Sequence, residues 1–169
     1  MGAHPTEEIS NVKLSSPVCQ RRNLFFHGGH LPKTTFLCDE PCRRWLRETI
    51  IYTRQRYPFK IDAWVLLPDH LHCVWTLPEN DDDFSMRWNI IKKRFSQTAK
   101  STLHQTEFMN KSKHKHREST IWQRRFWEHQ IRDDEDYRYH IQYTHYNPVK
   151  QGLVKNPDDW QYSTIQRYI

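Results

Sequence analysis

The stretch that most constrains this chain is 61–77, IDAWVLLPDHLHCVWTL, in which two short apolar runs flank a Leu-Pro-Asp break. Aliphatic and aromatic residues on both sides of a Pro-Asp turn predict a β-hairpin. Side chains alternate between the faces of a strand, so His70 and His72 should point one way and Leu71 and Cys73 the other. Two neighbouring imidazoles on a strand can hold one divalent metal ion, which then needs at least one further polar ligand.

Length and charge limit the possible classes. The 169 residues are expected to form a single domain, 1–169, large enough to bury a core. Lys and Arg outnumber Asp and Glu by 26 to 20, which gives a net charge of +6. This balance is compatible with a polyanionic partner such as nucleic acid, although many proteins of other function share it.

The opening residues and the cysteines indicate a cytoplasmic protein. MGAHPTEEIS lacks the basic and apolar regions of a signal peptide, and no run approaches the ~18 apolar residues of a membrane span. The four cysteines form no CxxC pair, so reduced thiols and no membrane are expected. Cys38 and Cys42, one turn apart at the start of a predicted helix, are interpreted as small buried side chains.

The first half of the chain predicts an uneven succession of elements. Residues 1–10 are expected to be a loose terminus, 11–20 a strand broken by Pro17, and the HGGH segment 27–30 a loop. A helix is predicted over 39–56, with Asp39 as its cap and Pro41 in its first turn. Its apolar stripe would consist of Trp45, Leu46, Ile50, Ile51 and Tyr52.

A second helix is predicted over 84–102, after the acidic turn 81–83. One side would carry the apolar residues Trp88, Ile90, Ile91 and Phe95. The basic residues of this segment are predicted to share the other side, either as a solvated face or as a contact for a phosphate backbone; they are Arg87, Lys92, Lys93, Arg94 and Lys100.

The segment 103–120 has no apolar period and is predicted to be a basic loop. It contains a second His-x-His pair, His114 and His116, but the surrounding lysines and arginine oppose cation binding, so no metal site is expected there. Residues 121–132 are predicted to form a strand. Its core candidates are Trp122, Phe126, Trp127 and Ile131.

The last helix is predicted to begin at Asp133, its N-cap, and to end near Asn147, because proline disfavours helical geometry in the residue before it. The tail should pack Leu153, Val154 and Trp160 back onto the domain. The order broken strand, helix, hairpin, helix, strand, helix predicts an α+β fold with helices packed on an antiparallel sheet.

This helix also offers partners for the histidines. Tyr143 and Asn147 are four residues apart and should share a helical face. A tyrosine is a poor nucleophile in water, but beside a metal-polarised phosphodiester it could attack phosphorus. Tyr139 lies on the same face and Tyr146 is displaced around the helix, so both remain alternatives, as does a half-buried structural role for Tyr143.

Three strings of this sequence together carry a resemblance to a known family: AWVLLPDHLHCVWTLP, IWQRRFWEHQIRDDEDYRYHIQYTHYNPVKQGLV and DDWQYST. In combination they resemble the REP-associated tyrosine transposases of the single-tyrosine HUH endonuclease/transposase superfamily. The resemblance runs from about Asp39 to the last residue. It implies that His70 and His72 bind the metal, that Asn147 takes the third metal-ligand position, and that Tyr143 is the catalytic nucleophile.

The resemblance further implies a ferredoxin-like sandwich with an antiparallel four-stranded sheet, acting with Mg²⁺ or Mn²⁺ on single-stranded DNA. The expected substrates are hairpins of REP-type palindromes, cleaved through a 5′-phosphotyrosine and rejoined by strand transfer, with no small-molecule substrate. The protein would act as a monomer or a homodimer. Basic side chains that could follow the DNA backbone are Arg21, Arg22, Lys92, Lys93, Arg94, Arg124 and Arg125.

The front of the chain departs from the family pattern. The family usually begins with an alternating aromatic strand, whereas VKLSSPVCQRRNLFF carries Pro17 and little alternation. An impaired first strand leaves open a non-catalytic, domesticated protein that binds DNA hairpins. A structural zinc protein using His70, His72 and Cys73 is a third alternative, which strand alternation disfavours because it separates Cys73 from the histidines.

Overall fold

The computed structural model describes residues 23–29 (backbone only), 36–103, 109, 111, 121–122 and 127–167. The strands are β1 (Asn23–Gly29), β2 (Lys60–Leu66), β3 (His70–Thr76) and β4 (Trp127–Gln130), and the long helices are α1 (Cys42–Arg56), α2 (Phe84–Leu103) and α3 (Asp134–Lys150). Two short 3₁₀ helices, Pro157–Asp159 and Ile165–Arg167, follow α3. The predicted terminus 1–10, the segment 11–20, the pair His114 and His116 and most of the basic loop lie outside the described residues.

The strands form one antiparallel sheet in the order β2-β3-β1-β4. The predicted α+β organisation, with helices packed on an antiparallel sheet, is therefore confirmed. The prediction of a loop over 27–30 was wrong for 27–29, because these residues belong to β1 and pair with 70–72 of β3. β1 runs between β3 and β4 and so lies inside the sheet rather than at its edge.

The two faces of the sheet are covered by different helices. Leu71, Cys73 and Trp75 of β3 pack in the larger core with side chains of α1 and α2. Val74 lies on the other face, in a smaller cluster with Tyr137 of α3. Alternation along β3 therefore places His72 on the face that α3 covers.

Helix α1 begins later than the sequence predicts. Asp39 does not act as its cap: Pro41 occupies the N-cap position, and no side chain there accepts a backbone hydrogen bond. The buried stripe consists of Cys42, Leu46, Thr49, Ile50 and Thr53, so threonines take part in it. Ile51, a predicted stripe residue, is 46% exposed.

Helix α2 follows its prediction closely, except at one basic residue. Asp83 accepts a hydrogen bond from the backbone N–H of Met86 and caps the helix. Arg87 was predicted on the basic outer side but is 1% exposed. Its guanidinium forms a fork on the Asp81 carboxylate and also donates to the carbonyls of Pro58 and Asp83. The hydrogen bond from Arg87, the largest cause, lowers the pKa of Asp81.

Strand β4 is shorter than predicted. It spans four residues, and Trp127 at its start is 54% exposed, so the prediction that Trp127 belongs to the core was wrong. Trp122 and Ile131 are buried as predicted, and Phe126 lies outside the described residues.

Helix α3 does not end near Asn147. Asp133 is its N-cap as predicted, but the helix continues through Pro148 to Lys150. The end is fixed by Gly152 at a φ of 71°, whose N–H bonds to the carbonyl of Val149 while the N–H of Leu153 bonds to that of Pro148. This is a Schellman termination, so the glycine rather than the proline stops the helix.

The segment after α3 returns to the sheet beside β2. The backbone N–H of Leu66 bonds to the carbonyl of Tyr162, and Ser163 forms a bridge with Val65. Trp160 donates its indole N–H to the carbonyl of Leu66 at 2.9 Å, which confirms that this tryptophan packs back, whereas Leu153 is 41% exposed. The outer edge of β2 is thereby partly covered.

Candidate active site

The two histidines of the hairpin lie together at the start of β3. The turn before them is closed by a hydrogen bond from the N–H of Leu67 to the carbonyl of His70, and the N–H of Leu37 bonds to the carbonyl of Pro68. The imidazoles of His70 and His72 have centroids 5.0 Å apart and planes at 87°. Because an imidazole binds metal through a lone pair in its ring plane, two rings at this angle can converge on one ion.

A carboxylate next to this pair orients one ring. Nδ1 of His70 lies 2.6 Å from Oδ1 of Asp69. An ionised carboxylate only accepts hydrogen bonds, so Nδ1 carries the proton and Nε2 of a neutral His70 presents its lone pair. From the sequence, Asp69 is predicted only as a turn residue. Its position directly before a candidate metal ligand is the feature that could have indicated this orienting contact.

Tyr143 meets the histidines from α3. Its ring packs on that of His72 with centroids 5.3 Å apart and planes at 89°. The alternative tyrosines are more distant from the pair or more exposed: Tyr139 stacks on Tyr143 at 6.2 Å and is 60% exposed, and Tyr146 is 50% exposed. Of the three, Tyr143 is the tyrosine for which the structure records a contact with a histidine of the pair.

A cation that the sequence analysis did not single out lies beside this tyrosine. Nζ of Lys150 is 5.0 Å from the centroid of the Tyr143 ring. Lys150 lies beside Tyr143 because α3 continues past Pro148. The predicted helix end near Asn147 left Lys150 outside the helix, so this contact was not expected. An ammonium group there can bind a phosphate presented to the tyrosine.

Asn147, the predicted third ligand, is 1% exposed and one turn beyond Tyr143 on α3. Its side-chain Oδ1 is buried and accepts no hydrogen bond from the described residues. A buried amide oxygen without a donor is costly, and a bound cation is one way to satisfy it. Two imidazole nitrogens and an amide oxygen form a donor set that fits a divalent ion with open positions.

Cys73 does not join this set. It is fully buried in the core on the opposite sheet face, and burial raises its pKa well above the usual value. A zinc site of His70, His72 and Cys73 is therefore incompatible with the fold. Burial, aided by the charge of Asp39, also raises the pKa of Cys38 to about 12, in keeping with a structural role.

The described members of the predicted DNA-contacting set lie on the sheet face opposite to α3. Lys93 and Arg94 are exposed and Lys92 is half-buried, all on α2, which covers the face opposite to α3. The guanidinium of Arg94 lies 3.6 Å from the centroid of the Tyr52 ring. The structure thus does not bring this basic group to the Tyr143 side. The remaining predicted contacts, Arg21, Arg22, Arg124 and Arg125, lie outside the described residues.

A second group of metal-ligating side chains lies elsewhere on the α3 side: His129, Asp136 and His140, with ligand atoms within 4.8 Å of one another. The Asp136 carboxylate accepts hydrogen bonds from Nε2 of His129 at 2.7 Å and from the backbone N–H of Arg132, while Nδ1 of His140 donates to the backbone carbonyl of Asp136 at 2.8 Å. By residue type this is a possible metal site. The sequence analysis missed it, although the Asp-x-x-x-His spacing on a helix was visible.

The geometry of this second group differs from that of a metal site. The rings of His129 and His140 are stacked, with centroids 4.7 Å apart and planes only 20° apart. Nε2 of His129 donates to the Asp136 carboxylate and Nδ1 of His140 to the Asp136 backbone carbonyl, so neither of these nitrogens has a lone pair left for an ion. Burial tends to raise the pKa of Asp136, but hydrogen bonds from His129 and Arg132 outweigh it and lower this pKa to about 2. The group is a hydrogen-bond network around an ionised carboxylate.

Comparisons with known proteins agree on one family. The chain is 49% identical over 122 residues to a REP-associated tyrosine transposase of Escherichia coli and 47% identical over 115 residues to a Haemophilus influenzae protein given the same family name. These alignments cover 72% and 68% of this chain and 64% of each relative. The chain therefore spans less than two thirds of the length of these curated relatives. No protein-family model matches the chain.

A solved structure extends the comparison over most of the fold. A REP-associated tyrosine transposase bound to a REP hairpin superposes with a TM-score of 0.71 at 39% identity, covering 93% of this chain and 84% of its own. An α+β domain with an antiparallel sheet is thus shared over nearly the whole length. The chain belongs to the family of REP-associated tyrosine transposases.

Within the parts of the chain that the structure describes, no helix combines the length and the apolar character that crossing a membrane requires.

Proposed function

We propose that this protein is a metal-dependent endonuclease and strand transferase that acts on single-stranded DNA, with Tyr143 as the nucleophile. The observation that carries the proposal is the packing of the Tyr143 ring on His72, 5.3 Å between centroids, with His70 beside it. A lone buried tyrosine would carry little weight. A tyrosine against a pair of imidazoles that can share an ion is a phosphodiester-cleaving arrangement.

The chemistry required of Tyr143 is a transesterification. Its hydroxyl oxygen forms a bond to phosphorus, the bond from phosphorus to the 3′-oxygen breaks, and the phenolic proton is lost while the leaving oxygen gains one. The products are a 5′-phosphotyrosine and a free 3′-hydroxyl, so the energy of the phosphodiester is kept for strand transfer. Lys150 is placed to hold the phosphate beside the phenol.

His70, His72 and Asn147 would hold the metal ion. When bound, a divalent ion supplies Lewis-acid polarisation of the scissile phosphate. Asp69 fixes the His70 ring so that its free nitrogen is available, and the buried Oδ1 of Asn147 lacks a donor from the described residues. Both Mg²⁺ and Mn²⁺ are accepted in the proposal; the two imidazoles favour Mn²⁺ as the tighter binder.

REP-type hairpin DNA is the proposed substrate. The solved relative is bound to a REP hairpin, and its likeness to this chain supports the same class of DNA here. Lys92, Lys93 and Arg94 face away from Tyr143, so on this proposal they contact a duplex stem that reaches around the domain rather than the cleaved strand. Arg21, Arg22, Arg124 and Arg125 remain predicted backbone contacts.

The finer description of the fold also belongs to the proposal. The order β2-β3-β1-β4, with α1 and α2 on one face, supports a ferredoxin-like sandwich to which α3 adds cover on the second face. A single domain over 1–169, a cytoplasmic location and a monomeric or homodimeric state stay predictions of the sequence. The non-catalytic alternative drew on an impaired first strand, and the pairing of β1 with both β3 and β4 removes much of its basis.

The decisive experiment follows covalent attachment of a labelled REP-type hairpin oligonucleotide with a single-stranded flank, in Mn²⁺. Tyr143→Phe should abolish the covalent adduct while hairpin binding stays close to that of the wild type. Tyr139→Phe and Tyr146→Phe are the matched controls and should retain the adduct. Attachment that survives in Tyr143→Phe would assign the nucleophile to another residue. A wild-type chain that binds hairpins without cleaving them in any divalent ion would favour the non-catalytic alternative.

A further inference from the structure

A continuous series of aromatic rings leads away from the candidate active site along the α3 side. Each ring centroid lies between 4.7 and 6.2 Å from the next. In order, this aromatic row consists of His72, Tyr143, Tyr139, His140, His129 and Trp127. The row therefore joins the proposed nucleophile to a tryptophan on the edge strand β4.

Two members of the row are open to solvent. Tyr139 is 60% exposed and Trp127 is 54% exposed, whereas His140, between them in the row, is 6% exposed. Large aromatic side chains carry much apolar surface, and two exposed rings on one path to a site offer that surface to a ligand. Aromatic faces are the groups on which unpaired nucleic-acid bases stack.

The inner part of the row is held rigidly. Both rings donate to Asp136, His129 to its carboxylate and His140 to its backbone carbonyl, and the two rings lie nearly parallel at 20°. Trp127 is parallel to His129 within 8°. The indole is thus backed by a fixed imidazole stack, which lowers the entropy lost when a base is added to it.

Positive charge accompanies the row at both ends. Lys150 lies over the ring of Tyr143, and the side chain of Arg132, 75% exposed, reaches the Asp136 carboxylate near the Trp127 end. Cations spaced beside exposed aromatic rings suit a strand whose bases stack while its phosphates face the cations. A duplex does not suit the aromatic row, because the bases of a duplex already stack on one another.

We propose that Trp127 and Tyr139 form a stacking platform for unpaired bases of a single-stranded DNA segment that leads to Tyr143. The inference rests on the proposed function, since it takes Tyr143 as the point of cleavage. It goes beyond that function by assigning specific residues to the flanking strand. The spacing of 6.2 Å between the Tyr139 and Tyr143 rings places the first stacked base next to the nucleotide that is cleaved.

The test separates single-stranded from hairpin binding. Affinities of the full chain are measured by fluorescence anisotropy in EDTA, which prevents cleavage, for a blunt hairpin and for the same hairpin with an unpaired extension of about eight nucleotides. Trp127→Ala and Tyr139→Ala should each weaken binding of the extended hairpin by about tenfold. Neither should change binding of the blunt hairpin. Trp127→Phe should restore most of the affinity, because it restores an aromatic face.

Tyr146→Ala is the matched control, since Tyr146 is a similarly exposed tyrosine of α3 outside the row, and it should bind both oligonucleotides as the wild type does. Thermal unfolding of every variant checks that it is folded, and Tyr139→Ala carries the test if Trp127→Ala fails to fold. Unchanged affinity for the extended hairpin, or an equal loss for both hairpins, would overturn the platform. The experiment measures binding and not cleavage, so it tests the platform even if Tyr143 proves not to be the nucleophile.

Discussion

Two pairs of histidines lie on the α3 side of this sheet, and they are built for different tasks. His70 and His72 have perpendicular rings, and the Asp69 carboxylate orients one of them. His129 and His140 have nearly parallel rings, and both donate to Asp136: Nε2 of His129 to its carboxylate and Nδ1 of His140 to its backbone carbonyl. Distance alone does not separate the pairs, since their centroids are 5.0 and 4.7 Å apart. The hydrogen bonds that the ring nitrogens make do separate them.

An acceptor beside an imidazole can therefore have two opposite uses. At His70, a carboxylate that bonds to one nitrogen leaves the other nitrogen of the ring available to a ligand. At the second pair, the carboxylate and the backbone carbonyl of Asp136 each accept from one ring and make both rings structural donors. We therefore expect substitutions in the first pair to affect chemistry and those in the second to affect stability.

The largest difference is expected for the histidines themselves. His72→Gln should lower Mn²⁺-dependent cleavage by about 10³-fold or more, as removal of a central catalytic group does. His140→Gln should lower it by less than about tenfold, since this ring only supports the aromatic row. Initial rates of adduct formation at saturating DNA check both variants. Equal losses would erase the distinction between the two pairs.

Asp69→Asn should weaken the apparent Mn²⁺ affinity by about 10- to 100-fold, because a neutral amide is a weaker acceptor for Nδ1 of His70 and can also turn its NH2 group toward the ring. The measurement is the Mn²⁺ concentration that gives half-maximal cleavage, and saturating metal should restore most of the rate. Asp134→Asn, an exposed carboxylate in the first turn of α3, serves as the control. An unchanged Mn²⁺ midpoint for Asp69→Asn would show that Asp69 does not orient the ligand.

Asp136→Asn should instead destabilise the fold by about 2 kcal/mol at pH 7, from the lowering of the Asp136 pKa to about 2. A carboxyl whose folded pKa lies below its unfolded value stabilises above the unfolded value and loses this contribution as the pH falls. The loss in free energy of unfolding caused by Asp136→Asn should therefore be largest above about pH 5 and should decrease toward about pH 2. Urea unfolding across this range measures it, and a constant deficit would contradict the assignment.

The smallest effect is expected for metal binding at the second pair. His129→Gln should change the Mn²⁺ midpoint by less than about twofold, because three rings of the aromatic row separate His129 from His72 and its Nε2 is used by the Asp136 carboxylate. Direct Mn²⁺ titration of the chain, followed by electron paramagnetic resonance, checks the same point without DNA. Loss of a bound ion in His129→Gln would turn the second group into a metal site after all.

Much of the site follows from local spacing. The hairpin is indicated by its apolar runs and Pro-Asp turn. Alternation along the strand then predicts that His70 and His72 share a face and that Cys73 lies on the other. Tyr143 and Asn147 follow from helical spacing in the same way. The contact of Tyr143 with His72 required the tertiary fold, since residues 72 and 143 belong to elements that are distant in sequence.

The failures have tertiary causes as well. Arg87 was predicted on the surface because it is a basic residue of an amphipathic helix, yet the Asp81 carboxylate and three backbone carbonyls make its burial favourable. Trp127 looked like core because it is large and apolar, but β4 lies at the edge of the sheet. The end of α3 was predicted too early because the preference of a residue before proline was applied to Asn147, whereas the left-handed Gly152 fixes the end.

The return of residues 162–164 along β2 also bears on how much of the sheet edge is open. An uncovered β-strand offers unpaired backbone groups to any neighbouring chain and invites intermolecular sheet growth. The bridge between Val65 and Ser163 covers part of the outer edge of β2, the strand next to the one that carries the histidines. Truncation of the chain before Trp160 would expose the outer edge of β2. We expect self-association to be the first defect, before any loss of cleavage by Tyr143.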